Sequence, residues 1–253
     1  MPIIHGTRIE KPLPHLVYAI VPENMDIIKR GFLTMCGIDS YTAGSACEPH
    51  FHDCHEYWLI LEGKARAQVG TVEEEVALGD IILTPIGTEH QFSAVTDATV
   101  LWCYGPLKGQ KRVGHIHKAT DPPSAAAQPF DYTPIVRHRR LEKPLPHLAY
   151  ALQPVNFDVI KKGFLTMCGW DYYAAGSQCD LHYHDCDEYW FILDGKAIAR
   201  CGDEQGEVRH GDVVFTPRGT KQQFTALTNV CMLWMYGELK GKKRVGHVHD
   251  GDK

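Results

Sequence analysis

Gly44-Ser-Ala-Cys-Glu-Pro-His50-Phe-His52-Asp-Cys-His-Glu56-Tyr-Trp-Leu-Ile-Leu-Glu-Gly63 recurs, lightly changed, as Gly176-Ser-Gln-Cys-Asp-Leu-His182-Tyr-His184-Asp-Cys-Asp-Glu188-Tyr-Trp-Phe-Ile-Leu-Asp-Gly195. Both copies place two histidines one residue apart, a glutamate four residues after the second, and a glycine seven beyond that. Side chains on a strand alternate faces, so His50 and His52 point the same way, as do His182 and His184. The polar residues Asp53 to His55 read as a turn, after which Glu56 opens a second strand. Two imidazoles and a carboxylate converging from adjacent strands outline a metal site.

The duplication extends well beyond this stretch. A constant offset of 132 residues carries Arg8-Ile-Glu-Lys-Pro-Leu-Pro-His15 onto Arg140-Leu-Glu-Lys-Pro-Leu-Pro-His147. It also carries Gly31-Phe-Leu-Thr-Met-Cys-Gly37 onto Gly163-Phe-Leu-Thr-Met-Cys-Gly169, and Lys111-Arg-Val-Gly-His115-Ile-His117 onto Lys243-Arg-Val-Gly-His247-Val-His249. A repeat this long means two domains folded alike rather than a solenoid. Residues 1–118 and 140–253 are the expected domains. Residues 119–139, with Asp121-Pro-Pro-Ser-Ala-Ala-Ala-Gln-Pro129, are the expected linker. Arg137-His-Arg-Arg140 within that region reads as a solvated basic arm.

Each half reads as β. Glu56-Tyr-Trp-Leu-Ile-Leu61 is rich in strand formers, Lys64 to Val69 alternates, and Gly79-Asp80 marks a turn. Short strands follow over Ile81–Thr84, His90–Val95 and Thr99–Tyr104, with a helical turn open to Asn24–Arg30. Such spacing favours a sandwich or barrel.

Composition narrows the function. The 253 residues carry 31 acidic against 26 basic side chains, so no nucleic-acid footprint is present. No apolar run approaches membrane-spanning length, and the opening Met-Pro-Ile-Ile-His-Gly lacks the core of a signal peptide. A cytoplasmic protein with reduced thiols is expected, since nine cysteines cannot all pair.

A second motif, Gly79-Asp-Ile-Ile-Leu-Thr-Pro85-Ile-Gly87-Thr-Glu-His90, recurs as Gly211-Asp-Val-Val-Phe-Thr-Pro217-Arg-Gly219-Thr-Lys-Gln222. With both motifs in view, the chain resembles the cupin superfamily over residues 8–117 and 140–249, as a bicupin. The first half matches the family pattern at each fixed position through His90. The usual asparagine four residues later is Ala94 here and Ala226 in the second half. The resemblance implies an all-β fold of two tandem jelly-roll barrels, with one divalent metal ion (iron, manganese or zinc) in each. Carried over by position, the ligands would be His50, His52, Glu56 and His90 in the first half. In the second they would be His182, His184, Glu188 and Gln222. Glutamine offers a neutral carbonyl oxygen in place of imidazole, which shifts preference toward manganese or iron(II).

The resemblance implies a metal-dependent enzyme acting on a small polar or chelating metabolite, by dioxygenase-type chemistry. A metal-dependent isomerase, decarboxylase or hydrolase is the alternative, and a non-catalytic binding bicupin the third reading. A small-molecule substrate is the expected partner, with neither nucleic acid nor membrane, and a homodimer is compatible with exposed barrel sheets. Trp58 and Trp190 share a strand face with the glutamates and are candidates for the pocket wall. Arg218 and Lys221 would make the second mouth receptive to an anion. The His-x-His tails at His115/His117 and His247/His249 offer either a further metal site or edge residues. His15 and His147 sit on arms expected to reach the opposite barrel.

Overall fold

The computed structural model describes residues 2–9, 15–118, 120–122, 127, 130–141 and 145–252. The Lys-Pro-Leu-Pro arm at 11–14, the first two residues of its copy at 143–146 and, Ala127 apart, the linker stretch at 123–129 lie outside them. The first half contributes β1 (Ile3–Ile4), β2 (Gly6–Arg8), β3 (Tyr18–Pro22), α1 (Met25–Ile28), β4 (Met35–Tyr41), β5 (Glu56–Glu62), β6 (Lys64–Val69), β7 (Val72–Ala77), β8 (Ile81–Thr84), β9 (His90–Ala94) and β10 (Ala98–Tyr104). The second contributes β11 (Ile135–Val136), β12 (His138–Arg140), β13 (Tyr150–Pro154), α2 (Phe157–Ile160), β14 (Met167–Tyr173), β15 (Glu188–Asp194), β16 (Lys196–Cys201), β17 (Glu204–Arg209), β18 (Val213–Thr216), β19 (Gln222–Ala226) and β20 (Val230–Tyr236). The helical turn expected near Asn24 is α1, capped by the Asn24 side chain.

Four antiparallel sheets result. In each half a seven-stranded sheet faces a three-stranded one across a jelly-roll barrel. The large sheets run β11-β8-β5-β10-β4-β3-β2 and β1-β18-β15-β20-β14-β13-β12, and the small ones β7-β6-β9 and β17-β16-β19. Alternation does the work locally: along β6 the exposed Lys64, Arg66 and Gln68 interleave with buried Ala65, Ala67 and Val69. The motif glycine that closes β5 has a structural reason. Gly63 has φ 76°, and a Cβ there would run into the Asp97 carbonyl.

Core residues fall into three clusters. One fills each barrel, and a third lies between the barrels, joining Leu59, Leu101 and Cys36 of the first half to Trp170, Phe191 and Met235 of the second. Across this seam Tyr57 donates its hydroxyl to the Ile160 carbonyl, and Tyr189 donates to Ile28.

The barrels also exchange edge strands. Ile3 and Ile4 pair with Val214 and Val213 of the second barrel. Ile135 and Val136 pair with Ile82 and Ile81 of the first. Composition placed 135–136 in the linker; the structure makes these buried residues the outer strand of the first sheet. The crossing is made by strand β1, while His15 stacks on Tyr41 of its own barrel. The turn aspartates receive the exchanged segments: Asp80 takes Arg137 Nη1 at 2.7 Å, and Asp212 takes the Gly6 amide at 3.2 Å and His5 Nδ1 at 3.0 Å. Arg137 is therefore an anchor rather than part of a free arm. All nine cysteines are free thiols, and no helix among the described residues is long and apolar enough to cross a membrane.

Candidate metal centre

The polar turn at Asp53 brings the chain from the two histidines back into β5, whose first residue is Glu56. An antiparallel bridge between His50 and His90 adds the fourth side chain from β9. One ligand atom from each of His50, His52, Glu56 and His90 lies within 4.8 Å of the others, and all four residues are buried. His52 Nε2 stands 3.3 Å and His90 Nε2 3.2 Å from the same oxygen, Glu56 Oε2. Neither nitrogen is aligned for a hydrogen bond, and both are left without a partner. Burying such atoms unpaired is costly.

Backbone carbonyls fix the rings. His50 Nδ1 donates to Glu48 O at 2.7 Å, His52 Nδ1 to Gly114 O at 2.8 Å, and His90 Nδ1 to Thr88 O at 2.8 Å. With the proton held on Nδ1, each Nε2 lone pair faces inward, which is the tautomer a metal ligand needs. Burial pushes the imidazoles of His50 and His90 down, so both are neutral. Burial alone would raise the Glu56 carboxyl, but His52 and His90 outweigh it and hold the group well below the usual range. A carboxylate set among imidazoles is a donor set that suits a divalent cation.

The repeated Lys-Arg-Val-Gly-His tail supplies part of this support. Arg112 grips buried Asp53 in a two-pronged pair, Nε to Oδ2 and Nη2 to Oδ1, each at 2.9 Å. That grip, with the bridge from Phe51 to Ile116, sets Gly114 O over His52. His115 stacks on His50 with ring centroids 3.7 Å apart. The second half repeats each contact through Arg244, Asp185, Gly246 and His247. Arg112 and Asp53 are functional positions that motif reading missed; their recurrence at the same offset was the available signal.

The second cluster differs at its fourth member. His182, His184, Glu188 and Gln222 again come together, but Gln222 Nε2 donates to Glu188 Oε2 and lies 3.2 Å from His182 Nε2. His184 Nε2 lies 3.3 Å from Glu188 Oε2 and has the Tyr236 hydroxyl at 3.3 Å. The ring atoms of His182, His184 and His247 also lie within 4.8 Å of one another. Outside the barrel, Asp180 bonds both His247 and His249. Arg218 and Lys221 are not among the residues lining the second cavity, and Lys221 is ion-paired to Asp250. Cys54, between the ligands in sequence, is buried, and burial pushes its thiol up, so it stays protonated.

The first cluster opens on a cavity of about 460 Å³ and the second on one of about 110 Å³. Trp58 and Trp190 line them, as alternation suggested. The first wall is apolar on one side (Val21, Val100, Phe92) and carries His15 and His115 near the cluster. Among the described residues no lysine or arginine lines it, and one further acid does: Asp39 of β4. Burial raises its carboxyl from 3.8 to about 7, the Trp102 indole partly offsets this, and Glu56 adds to it. Asp171 repeats the feature in the second barrel, again at about 7 and for the same leading cause. Asp39 carries no motif signal, because a lone carboxylate on a strand has no spacing to betray it.

The chain belongs to the cupin family: the cupin domain matches residues 38–104 and again 170–236. An uncharacterized protein, y4oW, of Sinorhizobium fredii (strain NBRC 101917 / NGR234) is 35% identical over 86 residues, 34% of this chain and 40% of that protein. This chain thus spans two-fifths of that relative. Among solved structures, a deletion mutant of Bacillus subtilis oxalate decarboxylase superposes with a TM-score of 0.72 at 14% identity, covering 93% of this chain and 75% of that one. Another structure of that enzyme, from work on its Mn(II) centers, gives 0.70 at 14% identity over 94% and 76%. AerE from Microcystis aeruginosa gives 0.65 at 12% identity over 94% and 100%. At these identities the likeness establishes the two-barrel fold.

Proposed function

We propose that the first barrel is the active site of a metal-dependent enzyme whose substrate is a chelating organic metabolite with an apolar body. The observation that carries this is the pair of unpartnered nitrogens, His52 Nε2 and His90 Nε2, set around one Glu56 oxygen at the end of a ligand-sized cavity. His50, His52, Glu56 and His90 would hold a divalent ion, manganese or iron(II) on the donor chemistry, that supplies Lewis-acid polarisation to a bound oxygen. The manganese centres of the structurally similar decarboxylase are consistent with that choice. The cavity is roomier and more apolar than a small dicarboxylate needs, and no lysine or arginine among the described residues lines it to meet a polyanion. Substrate selection therefore falls to chelation at one end and aromatic contact at the other.

Proton-transfer chemistry, such as decarboxylation or isomerisation, is favoured over dioxygenase-type cleavage by the acid in the cavity wall, Asp39. The test begins with elemental analysis of protein purified without a histidine tag or chelator. At least one ion per chain, lost in the double variant His50→Ala/His52→Ala, supports the reading; unchanged metal content in that variant overturns it. Turnover of an oxo or hydroxy acid under argon supports proton transfer, whereas turnover only with oxygen consumption restores the dioxygenase reading.

A further inference from the structure

Strand β4 divides its side chains between two environments. Cys36 and Ile38 face the core between the barrels, while Met35, Asp39 and Tyr41 face the first cavity. Asp39 sits opposite Val100 of β10 and Ala19 of β3 in the sheet, and both line the same cavity. Neither neighbour offers it charge or a hydrogen bond. The wall around it is completed by Trp102 and Tyr104 of β10, Tyr41 of its own strand, Glu56 of β5, and the imidazoles of His15, His50 and His115. The Trp102 indole nitrogen lies beside it and closes no hydrogen bond of its own. Among the described residues no lysine or arginine lines the cavity beside this half-buried acid, and a carboxyl shielded from water without a cationic partner is costly. The second barrel repeats Asp171 with Trp234 and Tyr173.

We infer that Asp39 is the proton-transfer residue of the first cavity, exchanging a proton with a carbon next to the carbonyl of a chelated ligand. The inference rests on the metal-dependent reading above. The ionised Asp39 carboxylate takes the proton from that carbon. The C–H electron pair becomes the carbon–carbon double bond of the enolate, and the carbonyl pair moves onto its oxygen. Return of a proton from Asp39 reverses the step, so no oxidant or co-reactant is needed.

The experiment uses the full chain loaded with manganese(II) and the branched-chain probe 2-oxo-4-methylpentanoate in heavy water. NMR follows deuterium uptake at the carbon beside the carbonyl. Wild type is expected to exchange faster than free manganese does. Asp39→Asn keeps the shape and is expected to lose roughly 100-fold in exchange rate, the scale of general acid–base catalysis, with manganese content and probe affinity unchanged. Exchange within threefold of wild type in Asp39→Asn would overturn the inference, as would absence of exchange in manganese-loaded wild type. Failure of wild type to retain manganese sinks the metal reading instead. In that event NMR of the Asp39 carboxyl carbon decides: a resonance that moves when the probe is added sustains the assignment, and one that does not move ends it.

Discussion

Gln222 donates its side-chain amide to Glu188, where the first barrel leaves His90 Nε2 beside Glu56 with no hydrogen bond. The two clusters thus differ in how far they satisfy themselves. In the second, the carboxylate already has a neutral donor, and an ion must turn the glutamine so that its oxygen faces inward. Manganese is therefore expected to bind the first barrel more tightly. Gln222→His should raise the second site's affinity at least tenfold, read by calorimetric titration of metal-free protein.

The Arg112 fork predicts an indirect effect on metal binding. Arg112→Ala frees the tail, and Gly114 O no longer holds the His52 proton. Loss of such an outer partner costs roughly 10–100-fold in metal affinity. Arg112→Lys, which cannot grip both Asp53 oxygens, should recover only part of it. Equal affinities in wild type and Arg112→Ala would detach the tail from the centre.

Asp39 also predicts a pH dependence of stability. Its folded-state pKa, raised to about 7, lies above its ordinary 3.8, so between these values the folded protein binds more protons than the unfolded chain. Stability contributed by this group is present at low pH and falls as pH rises toward 7. Asp39→Asn removes that slope. Denaturant unfolding at several pH values should show the variant gaining on wild type as pH rises from 4 to 7; a constant difference would contradict the assignment.

Strand exchange predicts a long-range effect on stability. Ile4 is 1% exposed and packs in the core between the barrels, on β18 of the opposite half. Ile4→Ala should cost about 2–5 kcal/mol. Hydrogen exchange should show the loss first in Val213 and Val214, more than two hundred residues away in sequence.

Much of this architecture is legible in the chain, for identifiable reasons. His50, His52, Glu56 and Gly63 announce themselves because strand alternation and a tight turn fix their spacing. The offset to His182 and Glu188 then doubles the signal. β1 and β11 escape notice because two-residue strands have no period, and their partners are set by the distant Asp80 and Asp212. Asp39 escapes because its meaning is environmental: the same residue on a solvated strand would be ordinary. The tail histidines divide in space: His115 stacks on His50, whereas His247 stacks on His182 and also lies within ligand reach of His182 and His184.

A descendant of this protein reduced to one copy would inherit a bare ribbon margin. Without its lent partner, β8 or β18 would present unpaired amides and carbonyls to whatever extended chain came near. Such a shortened form would have to cap that margin with new sequence or borrow the missing segment from a twin, so the tandem arrangement itself guards these proteins against sticking to one another.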